Sequence, residues 1–155
     1  MRIMYDAVTP SRIPKDAQMV AGYVNGHYKW TDADWSMFPH AAHVHIDVLG
    51  DSPHAAGVLD VERGAATVAE TPGWIRARRA YGHQAVIYCS RSLSGEIVRA
   101  CKGLTYKLWI ADWTCKPHQV PGSIATQYQN TPGYDLSAVY DDRWHPGPKA
   151  KCHGS

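Results

Sequence analysis

No apolar run in this chain approaches the roughly 20 residues needed to span a bilayer, so no membrane span is expected. The amino terminus, Met1-Arg2-Ile3-Met4-Tyr5-Asp6, enters a strand pattern at once, without the basic region, apolar run and small-residue cleavage site of a signal peptide. The chain therefore reads as soluble; its location is not encoded, and any export must come from outside this sequence. There is no long basic run, and sixteen Lys and Arg against fourteen Asp and Glu leave a formal charge of only +2, too balanced for a nucleic-acid footprint. That small excess still suits an anionic polymer. The four cysteines, Cys89, Cys101, Cys115 and Cys152, show no CxxC and no zinc-ribbon spacing. They allow three pairings, but buried free thiols are the favoured reading.

Phenylalanine is nearly missing: one Phe stands against six Trp and nine Tyr. Rings with a polar handle line carbohydrate clefts as readily as they pack cores. With 155 residues, 45% of them apolar, the chain can bury one core, and nothing divides it into two domains. The expected organisation is one domain over 1–145 and a tail over 146–155, which has no periodicity and is expected to fray.

What is present is a series of short β-rich runs: Ile3 to Val8, Met19 to Asn25, His43 to Leu49, Val58 to Glu62, Ala85 to Cys89, Lys107 to Ala111, Ile124 to Gln129 and Asp135 to Tyr140. Helical spacing is convincing in three places only, after Thr31, from Thr71 through Ala80, and within Ser92 to Lys102. Strands alternating with helices argue for parallel βα units. A full eightfold barrel takes at least about 200 residues. The fold class expected is therefore α/β, a reduced TIM-like (β/α) barrel of about eight strands with only three or so helices. The link from Gly50 to Gly57 is short for a parallel crossover, and the turn Asn130-Thr131-Pro132-Gly133 forces the last strand to run antiparallel. That reversal starts Asp135 at the rim where the parallel strands end, the face on which active sites of such barrels form. Asp6, Asp60, Glu62, Asp112 and Asp135 are all expected to reach it.

The segment Leu59-Asp60-Val61-Glu62 carries the chemistry. Alternation along a strand points Asp60 and Glu62 to one face and Leu59 and Val61 to the other. Two neighbouring carboxyls on a buried strand repel one another and resist desolvation, which costs stability unless function uses it. Glycoside hydrolysis does use it, with one carboxyl protonated as general acid and another ionised to stabilise or attack the sugar cation. The plainer reading is an acidic strand end beside Arg63.

Tyr5-Asp6-Ala7-Val8, Leu59-Asp60-Val61-Glu62, Val86-Ile87-Tyr88-Cys89-Ser90, Leu108-Trp109-Ile110-Ala111, Gln127-Tyr128 and Tyr134-Asp135-Leu136-Ser137 follow one another in a familiar order. Together they resemble glycoside hydrolase family 25, the cell-wall muramidases, and especially its short actinobacterial and phage-encoded relatives. The resemblance spans roughly residues 3 to 141. It implies a barrel whose last strands lack helices, cleavage of the β-1,4 bond between N-acetylmuramic acid and N-acetylglucosamine, and no cofactor. By position it implies Glu62 as general acid/base, Asp60 as the carboxylate beside it, and Asp6 and Asp135 as the first-strand and last-strand aspartates. The substrate would be peptidoglycan glycan strands. This chain is shorter than the usual family domain, lacks the helix before the Asp-x-Glu strand, and reads Asp-Leu-Ser where Asp-Leu-Asn is common.

In that reading burial and neighbouring carboxylates hold Glu62 partly protonated, while Asp60 stays charged. Asp112, Tyr88, Trp109, Gln127 and Tyr128 are the candidate substrate contacts, with Trp113 a further ring able to stack on sugar; each has a core-packing or loop-holding reading at least as strong. Trp30, Trp35 and Trp74 read as helix-to-barrel packing. Two other classes compete. One is a catalytically weak or inactive barrel that binds glycan or serves as a phage virion component. The other is a zinc hydrolase built on His43, His45 and Asp47, which share one face of the third strand, although the remaining histidines read as loop residues.

Overall fold

The computed structural model describes residues 1–141 and Trp144. The tail expected over 146–155, and Cys152 with it, lies outside the described residues.

Eight strands close into one barrel in chain order: β1 (Arg2–Asp6), β2 (Met19–Tyr23), β3 (Ala42–Asp47), β4 (Val58–Asp60), β5 (Val86–Ser90), β6 (Lys107–Ala111), β7 (Ala125–Asn130) and β8 (Asp135–Val139). Neighbours from β1 to β7 pair in parallel, and β8 runs antiparallel to both β7 and β1. Among the described residues there are three α-helices, α1 (Asp32–Ser36), α2 (Thr71–Ala80) and α3 (Ser94–Ala100). The reduced barrel with an antiparallel last strand is therefore the observed architecture. No helix among the described residues is long and apolar enough to cross a membrane.

Side-chain alternation divides the core into layers. Met4, Met19, Ala21, Val44, Ile46, Val58, Val86, Trp109, Ala125 and Val139 fill the barrel with Trp144. Their neighbours in sequence, including Leu59, Val61, Ile87, Cys89, Leu108 and Ile110, face outward and are covered by Trp74 and Ile75 of α2 and Ile97 of α3. A third cluster forms where Val20 meets Trp30, Phe38 and the partly buried Trp35. Trp30 precedes α1 rather than lying on it, and its Nε1 donates to the Ala7 carbonyl at 3.1 Å.

The helices begin where their caps dictate. The Thr31 Oγ1 accepts from the Asp34 N–H at 3.1 Å, and the Asp34 carboxylate accepts from the Thr31 N–H at 2.8 Å, a reciprocal cap that satisfies two orphan donors. Pro72 in the first turn of α2 forgoes a donor that has no intrahelical partner there.

The short β3–β4 link does join parallel strands. Asp47 is what makes this possible. Buried at the end of β3, it accepts from Asn25 Nδ2 (2.8 Å), the Gly50 N–H (2.7 Å), the Ser52 N–H (2.7 Å) and Trp74 Nε1 (2.9 Å). Burial pushes its pKa up, but these hydrogen bonds outweigh it and the net direction is down. A charged side chain thus organises a loop where a longer crossover would carry a helix.

Candidate active site

Register brings the acidic side chains together. Asp6 ends β1 directly opposite Asp135, the first residue of β8. Asp60 ends β4 opposite Tyr88, Tyr88 lies opposite Trp109, and Ala111 lies opposite Gln127. Side chains opposite one another on adjacent strands share a face. The C-terminal mouth of the barrel is therefore ringed by Asp6, Asp60, Tyr88, Gln127 and Asp135.

Gln127 is the hub of this ring. Its Nε2 donates to both oxygens of Asp6, at 3.1 and 3.2 Å, and to Asp135 Oδ2 at 3.4 Å. Its Oε1 accepts from the Tyr88 hydroxyl at 2.9 Å and from Trp113 Nε1 at 3.0 Å. These partners fix the amide orientation, because two donors face one end and two carboxyls the other. Asn130 Nδ2 donates to Asp135 Oδ1 at 2.7 Å.

Asp6 is 5% exposed, and its pKa is raised well above the carboxylate range, by burial first and then by the charge of Asp135. Asp135 is also raised by burial, but the hydrogen bond between the two lowers Asp135 while raising Asp6. The two carboxyls therefore hold a proton between them more tightly than isolated carboxyls would. Asp60 is 6% exposed and pushed up to about 9, by burial, then by a side-chain hydrogen bond with Glu62, then by the charges of Glu62 and Asp6. Its Oδ1 has no hydrogen-bond partner among the described residues. An ionised carboxylate with a bare buried oxygen would carry its full desolvation cost, so the neutral acid fits.

Glu62 departs from the sequence expectation. The strand ends at Asp60, not at Glu62. Val61 turns to bridge Ala66, the Ala66 N–H donates to the Asp60 carbonyl at 3.0 Å, and Glu62 stands exposed in the resulting loop. The buried, protonated carboxyl is therefore Asp60, whereas burial was expected to protonate Glu62. Glu62 nonetheless faces the same mouth: its charge acts on Asp6, Asp60, Asp135, Tyr23 and Tyr88.

Of the other candidates, Tyr88 and Gln127 join the carboxyls. Trp109 is 1% exposed and packs edge-on against Tyr88 at 4.7 Å, with Nε1 donating to Ser137 Oγ at 3.0 Å. It supports the site from below, and Ser137 of the Asp-Leu-Ser sequence is its partner. Tyr128 is buried, with Tyr5 and Tyr140 rather than the acids as its electrostatic neighbours. Asp112 does not enter the carboxyl cluster: its Oδ2 accepts from Arg91 Nη1 at 2.8 Å and from His118 Nε2 at 2.9 Å. His43, His45 and Asp47 do share a face, the outer one. His43 Nε2 contacts the Phe38 carbonyl at 2.7 Å, His45 packs on Trp35 at 4.4 Å, and Asp47 is committed to its loop. No group of three or more His, Cys, Asp or Glu among the described residues is arranged to hold a metal ion.

Tyr23 is the residue that sequence reasoning missed. It ends β2 on the same face as Met19 and Ala21, and burial and all four carboxyls raise its pKa. Its position at a strand end on the inward alternation was the available signal.

No model of a known protein family matches this chain, and no curated protein matches it.

Proposed function

We propose that the protein is a peptidoglycan-degrading glycoside hydrolase, a lysozyme-type muramidase cutting the β-1,4 bond between N-acetylmuramic acid and N-acetylglucosamine. The carrying observation is the convergence of Asp6, Asp60, Glu62 and Asp135 at one barrel mouth, with Asp60 kept neutral beside the solvent-facing Glu62. Acidic side chains from distant parts of the chain, crowded at a desolvation cost, suit a reaction with a cationic transition state. The resemblance of the motif order to family 25 supports the same reading.

Asp60 and Glu62 act as one pair that holds a proton. A sugar seated over the mouth takes Glu62 out of water, and the proton passes to it from Asp60. Glu62 then gives that proton to the glycosidic oxygen as the C1–O bond breaks, leaving the pair ionised when the sugar carries most positive charge. Water adds to C1 and returns its proton to Glu62. Asp135 and the Asp6 it pairs with add negative charge on the opposite side. No cofactor enters.

Clearing of purified cell walls tests this directly. Glu62→Gln is expected to lower the clearing rate by roughly 10²–10⁴-fold. Equal clearing by both proteins would remove Glu62 from the mechanism. The second reading, a barrel that binds glycan without cutting it and serves on a phage particle, draws support from the exposure of Glu62, since a general acid works best shielded from water. Wall binding by the parent protein without any clearing would replace the first reading with this one.

A further inference from the structure

A hollow of about 330 Å³ opens beside the carboxyl ring, between the ends of β5 and β6, lined by Ser90, Arg91, Ser92, Ala111, Asp112 and Trp113. That is the low end of the size of small-molecule sites, roughly 300–1,000 Å³. Trp113 is 60% exposed, an unusual position for so large a ring, yet its polar atom is tied down: Nε1 donates to Gln127 Oε1, and Gln127 in turn donates to Asp6. A ring held by its edge keeps a face open and loses little freedom on binding. The same bonds place it one side chain away from the buried acid pair.

Arg91 stands across the hollow. Its backbone N–H donates to the Ala111 carbonyl at 3.0 Å, which fixes the strand end, and its Nη1 donates to Asp112 Oδ2 at 2.8 Å. Asp112 is itself shared with His118, so it steers the guanidinium without absorbing its whole charge. Five N–H donors make up a guanidinium, and only Nη1 has a partner among the described residues. The remaining donors form a half-exposed fork matched to a carboxylate.

We infer that this hollow is a sugar subsite in which Trp113 carries a pyranose ring and Arg91 reads a carboxylate borne by that sugar. The charge layout sets the direction of the chain. A ligand carboxylate is repelled by Asp135 and Glu62 and drawn to Arg91, so the acidic substituent lies toward β5 and β6 and the glycosidic bond toward Glu62. The two hydroxyls of Ser90 and Ser92, 3.0 Å apart, add polar contacts on the same wall. This subsite deepens the muramidase reading and rests on it for the identity of the glycan, because the lactyl group of N-acetylmuramic acid supplies the carboxylate.

The test measures binding alone, in a Glu62→Gln background that stops turnover. A disaccharide of N-acetylglucosamine and N-acetylmuramic acid and its methyl ester are titrated against tryptophan fluorescence and amide chemical shifts. The acid is expected to bind roughly tenfold more tightly than the ester, the difference expected of a hydrogen bond to a charged group. Arg91→Gln should bring the two ligands to equal affinity, Arg91→Lys should keep part of the preference, and Trp113→Ala should weaken both by a similar factor. Equal affinity for acid and ester before any change at Arg91, a preference that survives Arg91→Gln, or binding untouched by Trp113→Ala would overturn the assignment, as would no binding of either ligand. Unchanged circular dichroism of the variants separates lost recognition from lost fold. A carboxylate preference in a protein that does not clear walls would retain the subsite and sink the hydrolase; clearing without a preference would do the reverse.

Discussion

Replacing Asp60 with asparagine should make the protein more stable at neutral pH while stopping the proposed reaction. In the unfolded chain Asp60 ionises near 3.8; in the fold it is pushed up to about 9. Below pH 4 both states hold the proton and the group costs nothing. Between about 4 and 9 the folded state keeps a proton that the unfolded state has released, so stability falls with each pH unit by about 1.4 kcal/mol. Above 9 the loss is complete. At pH 7 the ceiling is therefore about 4 kcal/mol, reached only if Asp60 bears the whole cost alone. Because Glu62 and Asp6 contribute to the shift, and both remain in the variant, a gain of about 2 kcal/mol is the working value. Asparagine keeps the shape, removes the ionisation, and leaves the packing around Asp60 undisturbed. Urea unfolding of parent and variant at pH 4, 5.5, 7 and 8.5 reads the difference, which should be near zero at pH 4 and widen toward 8.5. Wall clearing by the same variant should fall at least a hundredfold. A variant less stable than the parent at pH 7, or a stability gap that does not change with pH, would refute the claim that Asp60 is held neutral in the folded protein. Stability gained as activity is lost is the expected signature of residues kept for chemistry.

Other consequences follow from the same geometry. Gln127→Leu removes the donor to Asp6 and the acceptor of Tyr88 and Trp113, and should lower stability by about 1–3 kcal/mol in urea unfolding at pH 7, with activity falling alongside; a neutral effect would show that the hub is dispensable. Gly22→Ala would place a methyl 2.3 Å from the Trp30 ring, and its thermal midpoint should drop by several degrees, a loss of about 1–3 kcal/mol; an unchanged midpoint would mean that Trp30 gives way freely. Among the described cysteines, a thiol reagent at pH 8 should label the exposed Cys115 within minutes. Cys89, buried and pushed up to about 12, should be protected until the protein unfolds. Equal labelling rates for the two would contradict that burial.

The strands and helices were legible in the sequence because periodicity is local. Each of the eight runs carries its own alternation or apolar content, and each became a strand. The three helices follow from Thr31, Pro72 and the apolar spacing around Ile97, which act within one or two turns. The antiparallel return of β8, and with it the meeting of Asp6 and Asp135, followed from the brevity of the turn at 130–133. Alternation also placed Asp60 on the face opposite Leu59 and Val61, but it left Tyr88 and Gln127 as candidates with packing alternatives.

Tertiary structure decided which carboxyl is dry. Asp60 and Glu62 are equivalent by alternation, but after β4 Val61 turns to bridge Ala66, and that turn carries Glu62 into water while Asp60 stays beneath it. It also decided that Asp112 serves Arg91 and His118, that Asp47 and the two strand histidines face away from the mouth, and that Tyr23 faces into it. The reason is physical. Alternation tells a side chain only which of two faces it occupies; strand register and barrel closure set its neighbours, and those neighbours set its proton and its charge.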